Sequence, residues 1–473
     1  MKRGELRQTE TVIGKDVERI RTRGDAQSFI YPYFFEGLAI YRALRKDPVV
    51  ESLQNLFTSL TEEKLNLRKV HENYYSFCAQ ATEKNWPEYL WDRVLEADNI
   101  LTQQAGCKDW DNLDTGLKSL AAHDLKSLQR IAALQPEELR RMVLERIEEY
   151  ASVAEEPGLE WLERPEQWTL WVPQQNGNDQ DPSRAGQYLE YCRNHVKKIL
   201  FSGTEEEAVY ELAGFYRKIG SGLMATGMAF KWDGKEKALV RVKPDPICKE
   251  QLIGQEREQG ILLENTEFFL AGYPSNNVIL YGNRGTGKSS LVKALLQEYY
   301  EKGLRLVELS KRDLTDFPLM IRFLAQHPQR FILFIDDLSF EETELAYKAL
   351  KTVLEGGVEK RPDNVLIYAT SNRRHLIREN FTERQGDEVH VRDTLDEKLS
   401  LSDRFGITIT FPSPDQAEYL KIVEELAAQE GLTADIDQLR QQALRWVMMH
   451  NARSGRTARQ FIDYMVAQQK IKG

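Results

Sequence analysis

Cysteine is scarce in this chain. Four residues, Cys78, Cys107, Cys192 and Cys248, are scattered over 473 positions. No Cys-x-x-Cys pair occurs, so zinc ribbons and dithiol redox chemistry are disfavoured. Scattered thiols suit a reducing compartment, and a cytoplasmic location is expected. Long apolar runs are lacking too. No stretch approaches the ~18 uncharged apolar residues that a membrane span needs. The opening segment, Met1–Glu10, has no apolar core and does not read as a secretory signal. There is no excess of positive charge: 64 Lys and Arg stand against 74 Asp and Glu, a formal charge of −10. Proteins that coat nucleic acid normally show a basic face, so nucleic acid is not the favoured partner. The negative charge is spread over both halves and is not held in one acidic tail. Internal repeats and low-complexity tracts are absent.

What is present is an ordinary globular composition, 41% hydrophobic and 29% charged. At roughly 150 residues per domain the length suggests two to four domains. Two textures divide it. Residues 1–242 hold seven of the eight Trp, and their apolar residues recur mostly at helical spacing, as in Leu139, Met142, Val143, Ile147 and Tyr150. This region is expected to be mainly α-helical. The polar run 174–180, closed by Asp181-Pro182-Ser183, reads as an exposed loop and a possible subdivision near 172–184. Trp86, Trp91, Trp110, Trp161, Trp168 and Trp171 are expected to fill helix-packing core, because large aromatics dominate burial. His71, His123 and His195 are isolated, and no metal, nucleophile or cofactor spacing occurs here.

The pattern changes after Lys243-Pro244-Asp245-Pro246, where two prolines disfavour both helix and strand. Short β-rich runs then alternate with helical segments. The strands are expected at Asn277–Tyr281, Leu304–Leu309, Phe331–Ile335, Val365–Ser371 and Ile407–Phe411. Helices are expected at Ser289–Tyr300, Phe317–Ala325 and Glu342–Glu355. That alternation indicates an α/β fold with a parallel sheet and crossover helices. The continuous runs Val278-Ile279-Leu280 and Phe331–Ile335 suit strands buried on both faces.

Gly282-Asn283-Arg284-Gly285-Thr286-Gly287-Lys288-Ser289, followed by Ser290, matches the phosphate-loop pattern G-x-x-x-x-G-K-[ST]. The glycines let the backbone approach phosphate oxygens. Successive N–H groups form an anion nest, Lys288 supplies a cation, and the Ser289 hydroxyl suits Mg²⁺. A helix beginning near Ser289 would aim its positive dipole end at the same phosphates.

The Phe331–Ile335 run ends in Asp336-Asp337. An acid at the carboxyl edge of a buried strand is where a Mg²⁺ partner is needed. Asp336 is the expected second Mg²⁺ anchor, through water, and Asp337 the expected base that orients the attacking water. Asn372, at the end of the neighbouring strand, is placed to hold that water against the γ-phosphate. Arg404, within Ser402-Asp403-Arg404-Phe405-Gly406, is expected to reach the γ-phosphate of a neighbouring subunit. Arg456, in Ser454–Arg459, is the expected lid arginine, with Arg459 second. Glu341 and Glu342 read as a solvated helix start, Arg373 and Arg374 as surface, and residues 379–396 as an acidic surface segment.

Taken in this order, the motifs resemble those of the AAA+ ATPase superfamily: Walker A at 282–289, Walker B at 331–337, sensor 1 at Asn372, an arginine finger at Arg404 and sensor 2 at Arg456. Leu252-Ile253-Gly254-Gln255 looks like the segment that lines the adenine pocket there. The wording is similar still more closely to a bacterial family, domain of unknown function 815, in NRGTGKSSLVKALL, RFILFIDDLSFEE, RPDNVLIYATSNRRHL and LSDRFG. The likeness covers about 245–470. One departure stands out: Walker B usually ends in Asp-Glu, and here it ends in Asp336-Asp337.

The resemblance implies a P-loop α/β core at 243–412 and a helical lid at 413–473, with Asp415 capping the first lid helix, behind a helical region at 1–242. It implies a homo-oligomer that binds and hydrolyses ATP with Mg²⁺ to drive conformational change on a macromolecular partner, which is expected to engage the N-terminal region. The alternative is an ATP-gated switch or loader with slow or no turnover, of a type that could act on nucleic-acid complexes.

Overall fold

The computed structural model describes residues 27–83, 85–151, 181–338, 362–372, 404–432, 435–450 and 453–472, with Leu350 and Leu354. The chain divides into two compact units, one of residues 1–179 and 191–225, the other of 180–190 and 226–473.

The first unit is helical, with no strand among its described residues. Its helices are α1 (Gln27–Glu36), α2 (Pro48–Thr61), α3 (Leu67–Glu83), α4 (Trp86–Leu95), α5 (Ile100–Cys107), α6 (Thr115–Ala132), α7 (Pro136–Ala151), most of α8 (Arg184–Ser202), and α9 (Glu205–Lys218). Local signals fix several helix starts. Asp47 accepts from the Val49 and Val50 amides ahead of Pro48, and Thr204 with Glu207 forms a capping box. The spacing at Leu139, Met142, Val143 and Ile147 gives a buried face on α7. Trp86 and Trp91 are fully buried, and Trp86 Nε1 donates to the Ile131 carbonyl at 3.1 Å. Trp110 is only half-buried, edge-on to Tyr210 with the Lys118 ammonium 4.2 Å from its ring. Trp161, Trp168 and Trp171 lie outside the described residues, as does the polar run 174–180. Buried Asp124 accepts from the Ala39, Ile40 and Tyr41 amides, which satisfies its charge.

The second unit is built on a seven-stranded sheet of order β2-β1-β4-β5-β6-β3-β7. Its strands are β1 (Ala229–Asp233), β2 (Ala238–Val242), β3 (Val278–Gly282), β4 (Leu304–Glu308), β5 (Arg330–Ile335), β6 (Val365–Ser371) and β7 (Ile407–Phe411). β1 and β2 pair antiparallel, and every other pair is parallel. β5 and β6 are buried almost from end to end, which explains their unbroken apolar runs.

The β1–β2 hairpin precedes residue 243, ahead of the strands read from sequence. It lies at the sheet edge and is covered on one side. Phe230, Trp232 and Leu239 are buried while Lys231, Ala238 and Val240 are exposed. Period-two alternation around Gly234 was its sequence signal. Strand pairing of Ala229 with Leu306 ties it to β4.

Helices α10 (Glu256–Ala271), α11 (Lys288–Tyr299) and α12 (Phe317–Ala325) belong to this core. α11 buries Leu291, Val292, Leu295 and Leu296, and Phe317 is buried at the start of α12. Three further helices follow β7: α13 (Gln416–Gln429), α14 (Ile436–His450) and α15 (Gly455–Lys472). Their own core includes Tyr419, Val423, Leu439, Phe461 and Ile462. Asp415 and Glu418 form the capping box that starts α13. The helix expected at 342–355, apart from Leu350 and Leu354, lies outside the described residues, together with Glu341, Glu342, Arg373, Arg374 and 379–396. Among the described residues no helix is long and apolar enough to cross a membrane.

Candidate functional site

Parallel pairing brings the carboxyl ends of three strands to one edge. Tyr281 of β3 aligns with Ser371 of β6, and Ile335 of β5 aligns with Ala369 of β6. The residues that follow these ends are the loop from Gly282, the pair Asp336-Asp337, and Asn372. They are therefore neighbours although up to 90 positions separate them. A cavity of about 1110 Å³ opens at this edge.

The loop's glycines have specific work. Gly285 and Gly287 take φ of +80° and +93°, which a side chain resists. A Cβ on Gly282 would lie 2.3 Å from the Phe411 carbonyl oxygen, and one on Gly285 would lie 2.8 Å from Ser454 Oγ. Gly287 then caps α11, whose amino end faces the loop. Asn283 Nδ2 donates to Ser413 Oγ at 2.7 Å, and Thr286 Oγ1 donates to the Asn283 carbonyl at 2.9 Å. Arg284, Ser289 and Ser290 line the cavity.

Lys288 is 5% exposed. Its ammonium donates to the Gly282 and Asn283 carbonyls at 2.7 and 2.8 Å and to Asn372 Oδ1 at 3.2 Å. Burial pushes its pKa below the usual lysine range, the Asp336 and Asp337 charges oppose that, and Arg456 adds to it. A polyanion at this point would meet a desolvated cation.

Ser289 Oγ donates to Asp336 Oδ1 at 2.6 Å. Two oxygen donors this close suit a hard divalent cation such as Mg²⁺. Asn372 Nδ2 donates to Asp337 Oδ1 at 2.7 Å, so the expected base and the expected sensor are in direct contact. Asp337 has φ +52°, a conformation rare outside glycine.

Sequence reasoning passed over Thr370. It is 1% exposed on β6, and it touches the acidic turn at three points. Its Oγ1 donates to Asp336 Oδ1 at 2.5 Å and accepts from the Asp337 amide at 3.0 Å. Its carbonyl accepts from the Leu338 amide at 2.7 Å. The available signal was a hydroxyl on a strand buried on both faces, which must find a partner.

The cavity has an apolar side, with Ile247, Leu252, Ile253 and Ile422 among its lining. Gly254 lies there with φ +83°, and Gln259 Nε2 donates to the Leu252 and Gly254 carbonyls at 2.9 and 2.7 Å. Gln259 was likewise not foreseen. It holds the Leu252–Gln255 segment in its turn.

The two lid arginines differ. Both line the cavity. Arg459 is paired with Glu430 at 2.8 Å, whereas Arg456 has no ion pair among the described residues and its charge is felt at Lys288. The Arg456 amide also donates to the Gly285 carbonyl at 3.3 Å. Arg404 is not among the cavity's lining residues. It precedes β7, whose first residue, Ile407, pairs with Val278, the first of β3. Arg404 therefore sits at the amino edge of the sheet, and the phosphate loop at the carboxyl edge. Four strand steps, about 13 Å, separate the two ends of β7.

Comparison with known proteins agrees with these motifs. Residues 225–469 match the model of the family described as "Protein of unknown function (DUF815)". The match begins ahead of β1, so it takes in the whole sheet. A stretch of 181 residues is 30% identical to a 26S proteasome regulatory subunit 4 homolog of Dictyostelium discoideum, covering 35% of this chain and 37% of that protein. The chain thus spans about a third of that relative's length. Two Thermotoga maritima RuvB chains are similar over 46% of this chain and 72% of theirs, with 16% and 15% identity and TM-scores of 0.31 and 0.29; one is described as a Holliday junction branch migration motor. The family match over more than half of its length, with the phosphate loop and acidic turn inside the match, makes this chain a member of the DUF815 family, of AAA+ P-loop ATPase type.

Proposed function

We propose that the chain binds MgATP in the cavity at the carboxyl edge of the sheet and hydrolyses it to drive conformational change on a macromolecular partner. One observation carries this reading. Lys288, Ser289, Asp336, Asp337 and Asn372, joined through the Thr370 hydroxyl, form one connected set of hydrogen bonds beneath a glycine loop at a helix amino end. Backbone amides of 284–289 and the Lys288 ammonium bind the phosphates. Ser289 and Asp336 hold Mg²⁺, which when bound neutralises charge on the phosphate oxygens. Asp337 accepts a proton from, and with Asn372 orients, the attacking water. Arg456 contacts the nucleotide from the lid of the same chain. The position of Arg404 at the far edge of the sheet supports its acting on a neighbouring subunit, and so supports a homo-oligomer.

The test is a titration of the purified chain with MgATP, with phosphate release followed in parallel for the wild type and Asp337→Asn. Saturable binding by both, with turnover lost in the variant, is the expected result. Absence of saturable binding by the wild type would sink the proposal.

A second reading has support of its own. Asp337 is shorter than the usual glutamate, and in this structure its carboxylate is engaged by Asn372. Both features suit a slow ATP-gated switch that engages its partner while ATP is bound. Tight binding with wild-type turnover no faster than Asp337→Asn would select this reading over the first.

A further inference from the structure

We infer that Thr370 is the positioning residue that sets both acids of the site, the metal anchor Asp336 and the base Asp337, in one geometry. The inference rests on the MgATP reading above. Asp336 and Asp337 follow the end of β5, where strand pairing stops. Nothing in β5 itself dictates where their side chains go. Asp337 must also leave the extended region for φ +52°, which is unfavourable for a residue with a Cβ. Three bonds from Thr370 on the adjacent strand fix this turn. The hydroxyl hydrogen goes to Asp336 Oδ1, the hydroxyl oxygen takes the Asp337 amide, and the Thr370 carbonyl takes the Leu338 amide.

The side-chain bonds depend on a hydroxyl that donates and accepts at once. Among the other small side chains, serine alone puts a strong donor and a strong acceptor on one atom. Asp336 Oδ1 then meets two hydroxyls, from Ser289 on the phosphate-loop helix and Thr370 on β6. The carboxylate is thereby held between the loop and the sheet. Asp337 is aimed at Asn372, two residues beyond Thr370 and just past the end of the same strand. One buried side chain thus couples metal placement to base placement, through its bonds to the two acids.

The experiment compares the full chain as wild type, Thr370→Val and Thr370→Ser. Valine keeps the shape and loses the hydroxyl; serine keeps the hydroxyl. Affinity for a fluorescent ADP is measured with and without Mg²⁺, and phosphate release is measured alongside. For Thr370→Val the expected results are Mg²⁺-free affinity within about twofold of wild type, at least a fivefold loss of the tightening that Mg²⁺ produces, and turnover down at least tenfold. Thr370→Ser should stay within threefold on every measure. A valine variant with wild-type Mg²⁺ dependence and turnover would overturn the inference. Hydrogen exchange of the wild-type Asp337 amide gives a test that no variant's folding can compromise. Slow exchange is expected, and exchange at the rate of an unprotected peptide would overturn the inference. Wild type that binds no nucleotide at all would instead refute the MgATP reading, so the two failures are told apart.

Discussion

Replacing Lys288 with alanine removes the one ammonium set inside the phosphate loop. In the structure its Nζ holds the Gly282 and Asn283 carbonyls at 2.7 and 2.8 Å and reaches Asn372 at 3.2 Å. On the MgATP reading proposed above, nucleotide binding would exchange these neutral acceptors for anionic phosphate oxygens. A hydrogen bond involving a charged group contributes about 1.5–3 kcal/mol net, and two such bonds to phosphate replace two to carbonyls. The surplus comes from the opposite charge meeting a desolvated cation, so the loss in Lys288→Ala should be about 2–3 kcal/mol. That corresponds to about 30- to 150-fold weaker MgATP binding. Isothermal titration or displacement of a fluorescent nucleotide measures it directly. The fold should survive, because the variant removes a buried charge together with its bonds, and a thermal melt checks this. A folded Lys288→Ala whose affinity stays within threefold of wild type would refute the reasoning, since no other buried cation is set in the loop.

Further predictions rest on the same geometry. Arg456→Ala should weaken MgATP binding about tenfold, consistent with loss of a single charge-assisted contact, whereas Arg459→Ala breaks a half-exposed pair with Glu430 and should cost at most about 1 kcal/mol of stability; titration and melting of both variants separate these effects. Gly285→Ala should lose about 1–2 kcal/mol to its φ of +80°, and more to a Cβ only 2.8 Å from Ser454 Oγ. Its melting temperature and nucleotide affinity should fall together, and an unchanged melt would contradict the close approach of loop and lid. Arg404→Ala and Asp337→Asn should each be inactive alone, yet regain turnover when mixed, because a mixed interface pairs an intact base with an intact arginine. Failure of mixed subunits to regain activity would count against Arg404 acting across an interface.

Local chemistry makes much of this chain legible in its sequence. The phosphate loop can be read because each of its residue types answers a local need: glycine for positive φ, lysine for charge, serine for a hydroxyl ligand. The strands β3, β5 and β6 can be read because burial on both faces writes itself as a continuous apolar run, and β7 because Ile407, Ile409 and Phe411 alternate with exposed threonines. Helix starts at Asp415 and Ser454 carry their own capping signals. The β1–β2 hairpin is harder, since an edge element needs only alternate apolar residues and is covered by partners distant in sequence.

Sequence alone therefore determined which side chains make up the candidate site: Lys288, Ser289, Asp336, Asp337 and Asn372 are all recognisable from their order and neighbours. Tertiary structure decided how they meet. Strand order and register brought three carboxyl ends to one edge, paired Asn372 with Asp337, and set Arg404 at the opposite edge. It also separated Arg456 from Arg459, which their common place on one helix start could not. Thr370 and Gln259 were found only there, because their roles lie in backbone groups contributed by other elements. A hydrogen bond to a distant carbonyl or amide leaves no periodicity and no motif. It depends on where the fold puts the backbone, and that is a property of the packed chain.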